Sequence, residues 1–119
     1  MKILTAELRE RLLANGALRR QMEDTGGIEP DFVPVVKLFT PNAGCTWLLT
    51  EIDPDDPDIA FGLCDLGMGF AELGTVSLSE LASVRGRLNL PVERDLHFAP
   101  SRPLSAYADD ARRQGAITA

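Results

Sequence analysis

Apolar positions recur along this chain with two periods, and the changes of period mark its elements. Leu8, Leu12 and Leu13 share one side of a helix that Thr5 caps, with Glu7 in the first turn, where the macrodipole favours an acid. Asn15-Gly16 offers a left-handed end, or the helix runs through Leu18 and Met22 to about Asp24; the pattern leaves both open. Arg9, Arg11, Arg19 and Arg20, offset by Glu7, Glu10, Glu23 and Asp24, read as its solvated charged face. Gly26-Gly27 and Pro30 then break the chain before a β-branched and aromatic run, residues 32–39, that predicts a strand, with Pro34 at a sheet edge or among the strand's first residues.

A turn over residues 40–44 leads to a strand from about Cys45 to Ile52. A polar connection over 53–58 follows, and then a strand over 59–66. Pairing Ile52 with Ile59 sets Thr50 against Phe61 and Leu48 against Leu63 on a face that packs on the core. The other face carries Trp47, Leu49 and Glu51 opposite Cys64, Gly62 and Ala60, and it needs a cover of its own. In this register Cys45 is diagonal to Cys64, a poor disulfide geometry. Gly67-Met68-Gly69 turns into a fourth strand over 70–77. Ser77-Leu78-Ser79-Glu80 has capping-box spacing, the serine capping a short helix and Glu80 reaching back to the serine N–H. That helix turns Leu78, Leu81 and Ala82 inward and stops by Gly86. Residues 92–98 read as a short charged strand, and Pro103 opens a last helix with Leu104, Tyr107, Ala108 and Ala111 on one side, ending by Gly115. Residues 115–119 are expected to fray.

These elements predict an α+β fold, an antiparallel sheet of four to five strands flanked by N-terminal, middle and C-terminal helices. They form one domain, 1–119: a helical region 1–30, a sheet region 31–100 with a short helix 78–85, and a terminal helix 103–114. At 119 residues and 45% hydrophobic, the chain supports one core without metal or disulfide.

The chemistry is restricted by composition. Cys45, Cys64 and His97 are isolated from one another, so a zinc site is not expected, and no phosphate loop, nucleophile elbow or metalloprotease helix is present. A Cys–His nucleophile pair built on His97 is the weaker alternative to two buried, reduced cysteines. No cofactor is expected. No stretch approaches the roughly 18 apolar residues of a membrane span, so no membrane partner is expected and the cytoplasm is the expected compartment.

The net charge of −6 is unevenly placed. Residues 38–84 hold eight acids and no lysine or arginine, whereas the segments before and after are balanced or slightly basic. A one-signed field of this kind steers a basic protein partner. The candidate contact residues are therefore Trp47, Glu51, Asp53, Asp55, Asp56, Asp58, Asp65 and Glu72. The 53–58 tip lacks the glycine and distal glutamate of an EF-hand loop, so no metal is assigned to it. One alternative is a small carboxylate- or metal-dependent hydrolase acting on phosphodiesters, combining Glu51 or Asp65 with Glu93 or Asp95. Another is nucleic-acid binding through Arg85, Arg87, Arg94 and Arg102, which the acidic total disfavours.

Four stretches, residues 47–53, residues 61–63, residues 72–81 and residues 90–98, followed by Pro103-Leu104-Ser105, form an ordered set that resembles the DUF2958 family over about residues 35–107. The resemblance implies a domain of unknown function carried on bacterial plasmids, phages and integrative elements, and it brings no catalytic residues with it. Such a setting suits a small module that binds a host protein. Glu51, Glu72, Arg94 and Asp95 are the polar positions that share the family-like pattern, and Arg94 with Asp95 is kept as a second, polar candidate cluster.

Overall fold

The computed structural model describes residues 3–41 and 43–119, with the side chain of Arg87 outside the description. The Asn42 position of the predicted turn and the Arg87 side chain of the predicted arginine patch therefore lie outside the described residues. Thr5 caps α1 (Ala6–Asp24) by accepting a hydrogen bond from the Leu8 N–H, and the helix continues through Gly16 instead of ending there. Four antiparallel strands follow: β1 (Val36–Phe39), β2 (Thr46–Ile52), β3 (Ile59–Asp65) and β4 (Ala71–Ser77). Then come α2 (Leu78–Ser83), the two-residue β5 (Glu93–Arg94) and α3 (Leu104–Gln114). The sheet order is β4-β3-β2-β1-β5, an α+β arrangement with helices on both faces.

Alternation along β2 and β3 gives each sheet face its own apolar set. Trp47, Leu49, Ile52 and Ala60 pack with Leu12 of α1 and with Leu78 and Leu81 of α2. Leu48 and Leu63 pack with Leu104, Tyr107, Ala108 and Ala111 of α3, the four residues expected on its inner side. Trp47 is thus a core side chain, 4% exposed, and offers no surface to a partner.

Local chemistry explains where the elements depart from expectation. Pro34 has no N–H, so pairing starts one residue later, where the Val35 N–H donates to Leu49 O, and β1 is shorter than predicted and lies inside the sheet. The β2–β3 register matches expectation from Thr46↔Asp65 to Leu49↔Gly62, then slips by one at Thr50, so that Glu51, and not Thr50, opposes Phe61. α2 is one turn and a half, so Leu78 and Leu81 bury while Ala82 stays exposed. Its cap is shared. The Ser77 hydroxyl accepts from the Glu80 N–H at 3.2 Å, and Asp58 takes a second first-turn donor, its carboxylate accepting from the Ser79 N–H at 2.8 Å.

The segment after Gly115 is anchored and not frayed. The Ile117 N–H donates to Asp65 Oδ2 at 3.0 Å, Lys37 Nζ donates to Ala119 O at 2.7 Å, and Ile117 and Ala119 pack on the α3 cluster.

α1 approaches β2 closely at Gly16. A methyl group there would sit 1.8 Å from Ile52 O. Gly16→Ala, a change that raises helix propensity elsewhere, is expected to destabilise the fold by about 1–3 kcal/mol through overpacking. Urea unfolding of the variant beside the parent checks this; equal or greater stability would show that α1 does not seat at this distance.

Candidate functional site

Leu12 and Arg19 stand seven residues apart on α1 and share one helical stripe, so the stripe that packs on the sheet ends in a cation. Arg19 reaches β2 at the slip. Its Nε and Nη2 grip the two carboxylate oxygens of Glu51, the second at 2.9 Å, while Nη1 donates to Glu29 at 2.7 Å and Nη2 to Pro30 O at 3.0 Å. The guanidinium also lies over the rings of Phe32 and Phe61, 5.6 and 5.7 Å from their centroids. Glu51 is 5% exposed and the Arg19 side chain 18%. The Glu51 bond holds the Arg19 pKa above its ordinary value, with burial opposing it. The expected solvated face of α1 is therefore wrong for this residue, because its stripe faces the sheet.

A cleft of about 250 Å³ opens beside this pair, between the second half of α1 and the 53–61 hairpin. Arg20 closes one side of it, Nη1 standing 2.6 Å from Asp55 and Nη2 3.7 Å from Asp53, with Phe61 and Ile59 supplying apolar lining. Both guanidinium groups are committed to carboxylates, and both Glu51 oxygens are committed to Arg19. Glu23 and Glu29 also line the cleft.

The predicted contact residues separate into three groups. Glu51, Asp53 and Asp55 are ion-paired to α1. Asp58 and Asp65 are structural acceptors. Asp58 binds the Ser77 and Ser79 hydroxyls at 2.6 and 2.9 Å beside the Ser79 N–H, and these bonds lower its pKa below the ordinary carboxylate range. Asp65 is buried and accepts from the Gly67 and Ile117 N–H groups at 2.8 and 3.0 Å. Asp56 and Glu72 are exposed, as is Glu80 of α2, which the sequence reading left outside the contact set.

The proposed polar cluster also divides. Arg94 donates to Ile3 O at 3.1 Å, whereas Asp95 accepts the His97 N–H at 2.8 Å, which is the main cause of its lowered pKa, and lies 3.4 Å from Lys37. The carboxylates proposed to combine for hydrolysis do not meet: Asp65 pairs with Thr46, Thr46 with Phe39 and Phe39 with Glu93, so Asp65 and Glu93 stand three strand spacings apart, roughly 14 Å, and Glu51 lies five residues farther along β2 from that row. Among the described residues no three Asp, Glu, His or Cys side chains converge as metal ligands. Burial pushes the Cys64 thiol up to about 11, with Glu72 adding to it, which leaves it unreactive. His97 is exposed. Cys45 and Cys64 are both free thiols, as the register implied.

Sequence reasoning missed Arg19, Arg20 and Glu29. The available signal was positional, since Arg19 extends the Leu8–Leu12 stripe.

Helices on both faces of a five-stranded antiparallel sheet, with carboxylates used as clamps and caps, define an α+β domain. The chain belongs to the DUF2958 family, described as a protein of unknown function, whose model matches residues 3–118. No curated protein and no solved structure matches it. No helix among the described residues is long and apolar enough to cross a membrane.

Arg19→Met leaves the buried Glu51 carboxylate without its partner and is expected to cost stability near the lower end of the 3–5 kcal/mol range for broken buried pairs, roughly 3 kcal/mol, with Arg19→Met/Glu51→Met recovering much of it. Denaturant unfolding of both variants measures this; equal losses would mean that the pair is not coupled. A second outcome concerns Asp58. Its depressed pKa adds stability that is complete above the ordinary aspartate value near 3.9 and disappears as pH falls through the folded-state value. The stability gap between parent and Asp58→Asn should therefore narrow from about pH 5 down to pH 2, and a constant gap would contradict the assignment.

Proposed function

We propose that this chain is a non-enzymatic protein-interaction module that meets a basic partner, in an accessory system of a mobile element or its host. The observation that carries the reading is the charge of residues 38–84 as it stands after folding. Arg19 and Arg20 pair with three of the eight acids, so two positive charges are set against eight negative ones and the field remains strongly one-signed. At a physiological Debye length of about 8 Å such a field guides encounter without fixing a tight complex by itself.

The hydrolase alternative has less to support it, because Glu51 is held by Arg19, Asp65 and Asp95 accept backbone amides, and β5 with Glu93 lies two strands from β2 and three from β3. Arginine-mediated nucleic-acid binding also weakens. Arg85 donates to the Ala82 and Val84 carbonyl oxygens, Arg94 to Ile3 O, and Arg102 lies over the Tyr107 ring at 4.6 Å.

The test uses three exposed acids that form no ion pair among the described residues, of which Asp56 accepts the Asp58 N–H at 3.2 Å. Asp56→Lys/Glu72→Lys/Glu80→Lys should retain the parent's thermal transition within a few degrees and should lose a protein that the parent captures from nuclease-treated bacterial lysate, the loss deepening as salt is raised for the parent too. Retention of the same protein by the triple variant would sink the reading, as would a lysate in which the parent retains nothing.

A further inference from the structure

The two edges of the sheet are treated differently. β5 is two residues long and follows Pro91, so that edge gives a foreign strand almost nothing to pair with. β4 is the opposite edge. It is seven residues long, pairs with β3 in unbroken register from Ile59↔Ser77 to Asp65↔Ala71, and carries no proline, lysine or bulge. Among the described residues no backbone hydrogen bond from outside the sheet reaches Ala71–Val76. A row of N–H and C=O groups on such a strand faces solvent, the arrangement that other proteins blunt against unwanted pairing.

The side chains along this edge are also unusual. Leu66, Met68 and Phe70 of the β3–β4 turn and Leu73 within β4 are each half-exposed or more. A Cβ at Gly74 would meet nothing within 4 Å, so one face of the sheet is uncovered at the middle of β4. The single charge in the strand is Glu72, inside the segment that lacks any basic residue. A second copy of the chain would bring another Glu72 and no basic side chain on its own β4, so charge gives that pairing nothing.

We infer that β4 is a docking edge, where an extended basic segment of the partner adds as a sixth strand, with alternate apolar side chains over Leu73 and cationic ones at Glu72. The inference rests on the interaction-module reading and names the chemistry of its partner. Main-chain bonds to β4 supply affinity that depends little on sequence, while Glu72 and the acidic half select for lysine and arginine over acids.

The probes are fluorescein-labelled ten-residue peptides, one alternating valine and lysine and one alternating valine and glutamate. The full chain is expected to bind the Val/Lys peptide at least ten-fold more tightly by fluorescence anisotropy, and the bound peptide should slow amide exchange in residues 71–77. Glu72→Lys should reduce or reverse the preference. Adjacent amides of a strand point in opposite directions, so of Gly74→Pro and Thr75→Pro one removes an outward N–H and the other breaks the β3 ladder. The variant that keeps the parent's circular dichroism should lose binding. Failure of the Val/Lys peptide to bind at millimolar concentration overturns strand addition, and so does binding that slows exchange over 53–58 while 71–77 is unchanged. A lysate partner kept by the folded proline variant but lost by the lysine triple variant overturns strand addition alone; a parent that captures nothing removes the reading beneath it.

Discussion

A one-residue slip at Thr50 organises much of this molecule. Without it, Glu51 would follow Trp47 and Leu49 onto the helix-covered face, and Ile52 would leave that face. With it, Leu49 and Ile52 both reach the α1 side, and Glu51 stands opposite Phe61, where Arg19 can grip it. The slip also frees the Thr50 carbonyl, which accepts from Asn15 Nδ2 at 2.9 Å, and sets the Thr50 hydroxyl 3.1 Å from Glu51 Oε1 and 3.3 Å from Phe61 O. α1 therefore meets the sheet through polar groups as well as leucines, at the place where β1 no longer covers β2. Hydrophobic packing alone leaves a helix free to slide or rotate by a few degrees; a bidentate ion pair at a bulge removes that freedom.

The sequence made the periodic parts legible. The Leu8–Leu12 stripe, the Leu48/Leu63 alternation and the Leu104/Tyr107/Ala108/Ala111 face each repeat at the spacing of their element, and each lies where its period says. What was hidden depended on events without a period. A bulge leaves no mark in alternation until two faces are compared in space, so the pairing beyond Leu49 was displaced by one residue. Arg19 was read by its charge and not by its position on the buried stripe, which made a clamp look like a solvated face. The acids of 38–84 were read as one surface because they are one run in sequence. Folding distributes them, some to arginines, some to helix ends, a few to solvent, and composition carries no record of that division. The termini followed the same rule: residues 115–119 lack a strong pattern, yet Asp65 and Lys37 hold them through backbone atoms that no side-chain pattern reveals.

Acidic residues in this chain serve mostly as acceptors. Asp31, like Asp58, acts at a distance: its carboxylate receives the Ser105 N–H at 3.1 Å together with the Ser105 hydroxyl, and Phe32 O receives the Leu104 N–H at 2.8 Å, so the first turn of α3 is completed by the segment that leads into β1. Pro103 itself supplies no side-chain cap. Carboxylates suit this task because they accept several bonds at once and complement the positive end of the helix dipole. A large negative count therefore coexists with a folded core without requiring a ligand at each acid.

The capping of α2 and α3 from elsewhere in the chain bears on how the protein reaches its folded state. Six and eleven residues are too few to hold a helix in water without help. Beside the local Ser77 cap of α2, the caps that would help are Asp58, which is in place only once β2 and β3 have closed their connection, and Asp31, which precedes β1 by a few residues. Neither helix can therefore be an early, independent unit. Sheet closure and helix formation become one cooperative step, and the slow, non-local pairing of the strands sets the pace for the local structure as well.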